Sequence, residues 1–197
     1  MHALHFLLLV LHLLGAALAG RTIPKHPPGT SDYDIAASIL KDQGLPDPQL
    51  GKTYAFALYW RGNTMENICN GGAHAAIALA QFDEGKWFGG IMFELTNAID
   101  DTVKKGIRAK HRGQIWLPHV SMENANVLVD AMGLVRQDMD MFKLSELVDD
   151  KSTEYFAKSP DYNYVLNNCG NYVNYIMGVI GTDYQAYGDL PGEKKPN

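Results

Sequence analysis

Cys69 and Cys169 are the only cysteines in a chain of 197 residues. Two are too few for a disulfide-built scaffold, so a hydrophobic core has to carry the fold, and a 46% apolar composition can supply one. The length fits a single domain and leaves little room for two. The same count leaves the thiols two uses, one bridge or one working nucleophile. A secreted chain with two cysteines commonly joins them, which makes Cys69–Cys169 a candidate disulfide.

Residues 1–19 contain no Lys, Arg, Asp or Glu. Residues 6–14 are apolar except for His12, and the segment closes on Ala17, Leu18 and Ala19. This pattern predicts a secretory signal peptide cut between Ala19 and Gly20, and hence a secreted, extracellular protein. The apolar run is too short for a membrane span, and no other stretch approaches the ~18 uninterrupted apolar residues one needs, so stable membrane insertion is not expected. With 22 acidic side chains against 17 Lys plus Arg, the net charge of −5 gives no general pull toward nucleic acid or anionic lipid.

Three prolines and two glycines without apolar periodicity make residues 20–30 an extended, flexible arm. One globular domain over residues 31–190 follows, with a disordered tail over 191–197. Ser31 caps a helix carrying Ile35, Ile39 and Leu40 on one face, and Gly44-Leu45-Pro46 stops it. Residues 53–60 (TYAFALYW) read as a strand. After an Asn- and Gly-rich loop, residues 73–80 (AHAAIALA) read as a buried strand. The turn at 83–86 joins this strand to residues 87–96 as a hairpin. Residues 113–120 read as a further strand that Pro118 pushes to an edge or end, and the basic stretch KKGIRAKHR before it reads as a solvated loop. Helices are expected from Ser121 through Ala131 and over residues 144–156. A last helix is expected over residues 168–181, capped by Asn168 and stopped by Gly181. The fold class is α+β, a small antiparallel sheet packed against helices.

On that last helix Cys169, Val173, Ile176, Met177 and Ile180 share one face, so the thiol sits in the first turn on the buried stripe. There the helix dipole and the first-turn N–H groups favour thiolate over thiol. A nucleophile also needs a base, and His26, His74, His111 and His119 are the histidines outside the leader. His74 heads an apolar strand straight after a Gly-rich loop and is the strongest candidate. Glu94, in the next apolar strand, must face solvent or meet a partner such as His74 or an Arg, because a buried lone carboxylate is costly. No HxxxH or CxxC spacing, phosphate loop or dinucleotide fingerprint occurs, so neither a metal nor a cofactor is expected.

The order of a His heading an apolar strand (His74 in HAAIAL), a polar residue in the next strand (Glu94 in MFELT) and Asn-Cys opening a helix (NNCGNYVNYIM) resembles the circularly permuted papain-like families. These include the NlpC-related hydrolases and the lecithin retinol acyltransferase-like proteins, with similar proteins in fungi. The likeness spans about residues 53–180. It implies Cys169 as nucleophile, His74 as general base and Glu94 as the group that orients the imidazole, with His111 or His119 as alternative orienters. Asn168 matches the Asn that commonly precedes the Cys, and Tyr172 supplies an aromatic shortly after it; both are candidate binding residues. Two departures stand out: Ala75 follows the His where many members have an aromatic, and Glu94 stands where the third residue is often His.

The implied function is a thiol-dependent hydrolase, amidase- or peptidase-like, or an acyltransferase. It would act on a peptide, cell-wall or lipid acyl substrate through a thioester. The alternative is a non-catalytic secreted binding or effector protein on the same fold, with Cys69 and Cys169 joined.

Overall fold

The computed structural model describes residues 21–22, 25–60, 74–98, 108–123, 127–136, 139–158 and 169–182. The expected signal peptide, the loop carrying Cys69, Asn168 and the expected tail lie outside them. Strand β1 (Arg21–Thr22) is followed by helix α1 (Asp32–Asp42), β2 (Thr53–Trp60), β3 (His74–Asp83), β4 (Trp87–Ala98) and β5 (Arg108–Ile115). Helix α2 (Pro118–Glu123), strand β6 (Val127–Leu134), and helices α3 (Met141–Lys158) and α4 (Cys169–Ile180) complete the described elements. The strands form one antiparallel sheet in the order β1-β6-β2-β3-β4-β5, five long strands and the two-residue β1 at one edge. The class is α+β.

The apolar run of β3 explains the layering. A strand that is apolar at successive positions presents hydrophobic side chains on both faces, so both faces must be covered. On one face Ala76, Ala78, Ala80 and Phe82 join Tyr54, Phe56 and Leu58 and pack with Ile35, Ile39 and Leu40 of α1. On the other, Ala75, Ile77 and Leu79 pack with Leu144 and Val148 of α3 and with Val173, Ile176 and Ile180 of α4. The small alanine side chains let helices pack closely on both faces of β3. Helix α1 begins at Ser31, whose hydroxyl accepts from the Asp34 N–H at 3.1 Å.

Three stretches differ from the sequence expectation. Residues 113–120 are not one strand: β5 ends at Ile115 and Pro118 opens α2. Proline lacks an N–H and fits a first helical turn, where that donor would have no partner. The basic stretch expected as a solvated loop contributes Arg108–Arg112 to β5, which lies at the sheet edge, where charged residues are tolerated. The helix expected from Ser121 through Ala131 does not reach that far: α2 is described over Pro118–Glu123, and Val127–Leu134 forms β6. That strand also needs apolar groups on both faces, and it places Val127, Val129 and Ala131 in the α1 cluster and Met132 in the α3–α4 cluster.

The described part of the arm lies against the domain. Arg21 and Thr22 pair with Val129 and Leu128, and His26 Nε2 is 2.8 Å from Ser38 Oγ.

Candidate functional site

Among the described residues the β3–β4 ladder ends at Ala76 opposite Glu94, whereas β4 continues against β5 to Ala98 opposite Arg108. The two central strands therefore part at the N-terminal end of β3. The first turn of α4 stands at that opening. Cys169 is 3% exposed, and its Sγ accepts a hydrogen bond from the Ala75 N–H at 3.2 Å. The helix places its thiol there because Cys169, Tyr172, Val173, Ile176 and Ile180 form its buried stripe.

His74 alternates onto the α1 face of the sheet, beside its β2 partner Trp60, with ring centroids 5.0 Å apart and planes tilted by 42°. Its Nε2 is 2.6 Å from Glu94 Oε2, and the imidazole is also hydrogen-bonded to Cys169. Glu94 is buried at 7% exposure, so the pairing with His74 answers the desolvation cost of its carboxylate. Burial opposes a charged His74. The hydrogen bonds that the imidazolium donates to Cys169 and Glu94, and the charges of both, outweigh it, and the imidazole is pushed up to about 9. The thiol from one face of the sheet and the imidazole from the other meet where β3 and β4 separate.

The remaining candidates separate clearly. His119 is engaged elsewhere: its Nδ1 lies 2.9 Å from Asp32 Oδ1, and its backbone N–H donates to the same oxygen at 2.7 Å. The backbone of His111 stands opposite Leu95 on β5. Glu94 is thus the group in contact with His74. Tyr172 is fully buried; the Ser152 hydroxyl donates to the Val148 carbonyl at 2.6 Å, and the Tyr172 hydroxyl donates to Ser152 Oγ at 2.7 Å. Burial holds its phenol protonated well above the usual range. Tyr172 ties α3 to α4 from within the core and presents no surface to a ligand, unlike the binding role expected of it. Asn168 and the Cys69–Cys169 pairing lie outside the described residues.

Two aromatic neighbours were missed from the sequence. Trp60 is the last residue of β2, and only the strand register brings it to His74. Tyr155, on α3, has its phenol pushed up first by burial and second by the charge of Cys169. Among the described residues no group of three His, Cys, Asp or Glu is placed to hold a metal ion, and no helix is long and apolar enough to cross a membrane.

Compared with known proteins, the chain matches no family model, and no curated protein and no solved structure matches it significantly.

Proposed function

We propose that the protein is a secreted thiol-dependent hydrolase or acyltransferase that acts on an amide or ester through Cys169. The observation that carries this is a single imidazole, His74, bonded to Glu94 at 2.6 Å and to the thiol of Cys169 at the start of a helix. A buried cysteine with a structural role needs neither the histidine nor the carboxylate behind it. The order of strand His, strand Glu and helix Cys on an antiparallel sheet also supports the permuted papain-like arrangement.

In the resting site His74 holds the proton and Cys169 the negative charge. The thiolate attacks the acyl carbonyl, and the first turn of α4 supplies backbone N–H donors on the thiol side for the developing oxyanion. His74 then gives its proton to the departing amine or alkoxide, leaving a thioester on Cys169. Water or a second acyl acceptor loses a proton to His74 as it attacks the thioester. The acyl group leaves and the thiolate–imidazolium pair is restored. Glu94 keeps one ring nitrogen engaged, so the other faces the thiol throughout.

The test is alkylation of the full chain by iodoacetamide at neutral pH. Selective labelling of Cys169 over Cys69 is expected, with a loss on the order of 10²–10⁴-fold in His74→Ala. Equal labelling of both thiols would overturn the proposal in favour of a non-catalytic binding protein with ordinary free thiols, and an intact mass two hydrogens short with no alkylatable thiol would overturn it in favour of a disulfide-bridged one.

A further inference from the structure

Trp60 closes β2, a central strand whose alternate residues Tyr54, Phe56 and Leu58 are buried in the α1 cluster. Period-two alternation turns Trp60 to the same face, where it forms the half-buried end of that row. The ladders set it opposite His74 on β3 and opposite Val127 on β6, so its backbone is held from both sides. The Trp60 and His74 ring centroids are 5.0 Å apart, with the planes tilted by 42°. Glu94 reaches the same imidazole from β4, with 2.6 Å between Oε2 and Nε2. His74 thus stands between an indole from one neighbouring strand and a carboxylate from the other.

Among the described residues the charged groups that act on His74 are Glu94 from β4 and Cys169 from α4, and β2 brings Trp60 without a charge. A half-buried imidazole that keeps a proton loses water around it, and an aliphatic neighbour would give nothing in return. The face of an indole does, because its quadrupole attracts a cation within about 6 Å of the ring centroid. We propose that Trp60 is a positioning residue for the thiol chemistry: its indole stabilises the His74 imidazolium through a cation–π contact and so helps to keep the thiolate–imidazolium pair charged. This rests on the reading of Cys169 as a nucleophile with His74 as its base. Trp60 neither gives nor takes a proton, and no bond is made or broken at it.

The test is the titration of the His74 ring by proton NMR in the full chain, its signal assigned by its loss in His74→Ala. Trp60→Leu keeps an apolar side chain at the end of β2 and removes the π face. The His74 midpoint is expected to fall by roughly half a unit to one unit, a roughly three- to tenfold weaker hold on the proton. The alkaline limb of Cys169 alkylation by iodoacetamide is expected to move down with it. Trp60→Phe keeps an aromatic face and is expected to retain a midpoint above that of Trp60→Leu. Equal falls in the two variants would assign the effect to packing and overturn the cation–π role. A parent midpoint well above the ordinary histidine value, unmoved by Trp60→Leu, would overturn the role of Trp60 alone. A parent in which His74 titrates at about 6.5 and Cys169 labels as an ordinary thiol would overturn the charged pair and the inference with it.

Discussion

His74 and Glu94 sit diagonally across the β3–β4 pair, with Nε2 2.6 Å from Oε2, where Glu94 is opposite Ala76 and the ladder stops. The contact fixes one edge of the imidazole while the other faces α4. Glu94→Gln keeps the shape and a hydrogen-bonding group and removes the charge. The raised value of His74, about 9, is expected to fall toward 6.5. In a pH profile of Cys169 alkylation the alkaline limb, where the imidazolium loses its proton, moves down. An unchanged alkaline limb would show that the carboxylate does not support the imidazolium.

The same shift makes stability depend on pH. His74 has a folded value of about 9 against an ordinary 6.5, so the folded state holds the proton more tightly than the unfolded chain does. Its contribution is fully present below about 6.5 and is lost as pH rises through about 9. The difference in urea midpoint between the parent and His74→Ala is expected to shrink over that window. A difference that stays constant from pH 6 to 10 would contradict the linkage.

Tyr172→Phe removes the hydroxyl bonded to Ser152 Oγ but leaves Ser152 its own acceptor, the Val148 carbonyl. One hydrogen bond is lost and no buried donor is stranded, so a cost of about 1 kcal/mol is expected in denaturant unfolding. Tyr172→Ala also removes a fully buried ring that contacts Tyr155 and Phe156, and a cost of about 3–5 kcal/mol is expected. Equal costs for the two variants would mean that the ring is not packed as described.

Much of the site was legible because it rests on local rules. The stripe of Cys169, Val173, Ile176 and Ile180 follows from helical spacing, and the thiol lies in the first turn of α4 as that spacing predicts. The turn at 83–86 sets the hairpin register, and pairing counted back from Asp83 opposite Trp87 arrives at Ala76 opposite Glu94. The remainder depended on tertiary placement. Val127–Leu134 (VLVDAMGL) carries apolar groups on both faces because α1 covers one face of the sheet and α3 and α4 the other, and such a run has no period that separates it from a buried helix. The edge position that admits a basic β5, and the parting of β3 and β4 that admits the thiol, are properties of the sheet and leave no mark in either segment.

A substitution far from the thiol tests whether the fold and the site are separable. Gln43, at the C-terminal cap of α1, donates its side-chain N–H to the Val129 carbonyl at 3.0 Å and accepts from the Ala131 N–H at 2.7 Å. Its amide thus pairs with the backbone of β6 as a neighbouring strand would, tying α1 to the sheet. Gln43→Ala withdraws both partners at once, and backbone groups beside the buried Val129 and Ala131 must find water or stay unsatisfied. A loss of about 2 kcal/mol in urea unfolding is expected. Gln43→Glu keeps the acceptor for Ala131 and loses the donor to Val129, so it is expected to fall between the parent and the alanine variant. Neither change touches His74, Glu94 or Cys169, and under native conditions the alkylation profile of Cys169 should superimpose on that of the parent. A profile displaced by Gln43→Ala would mean that the docking of α1 on the sheet helps set the thiol's charge, and the site would have to be read as extending across the sheet to β6.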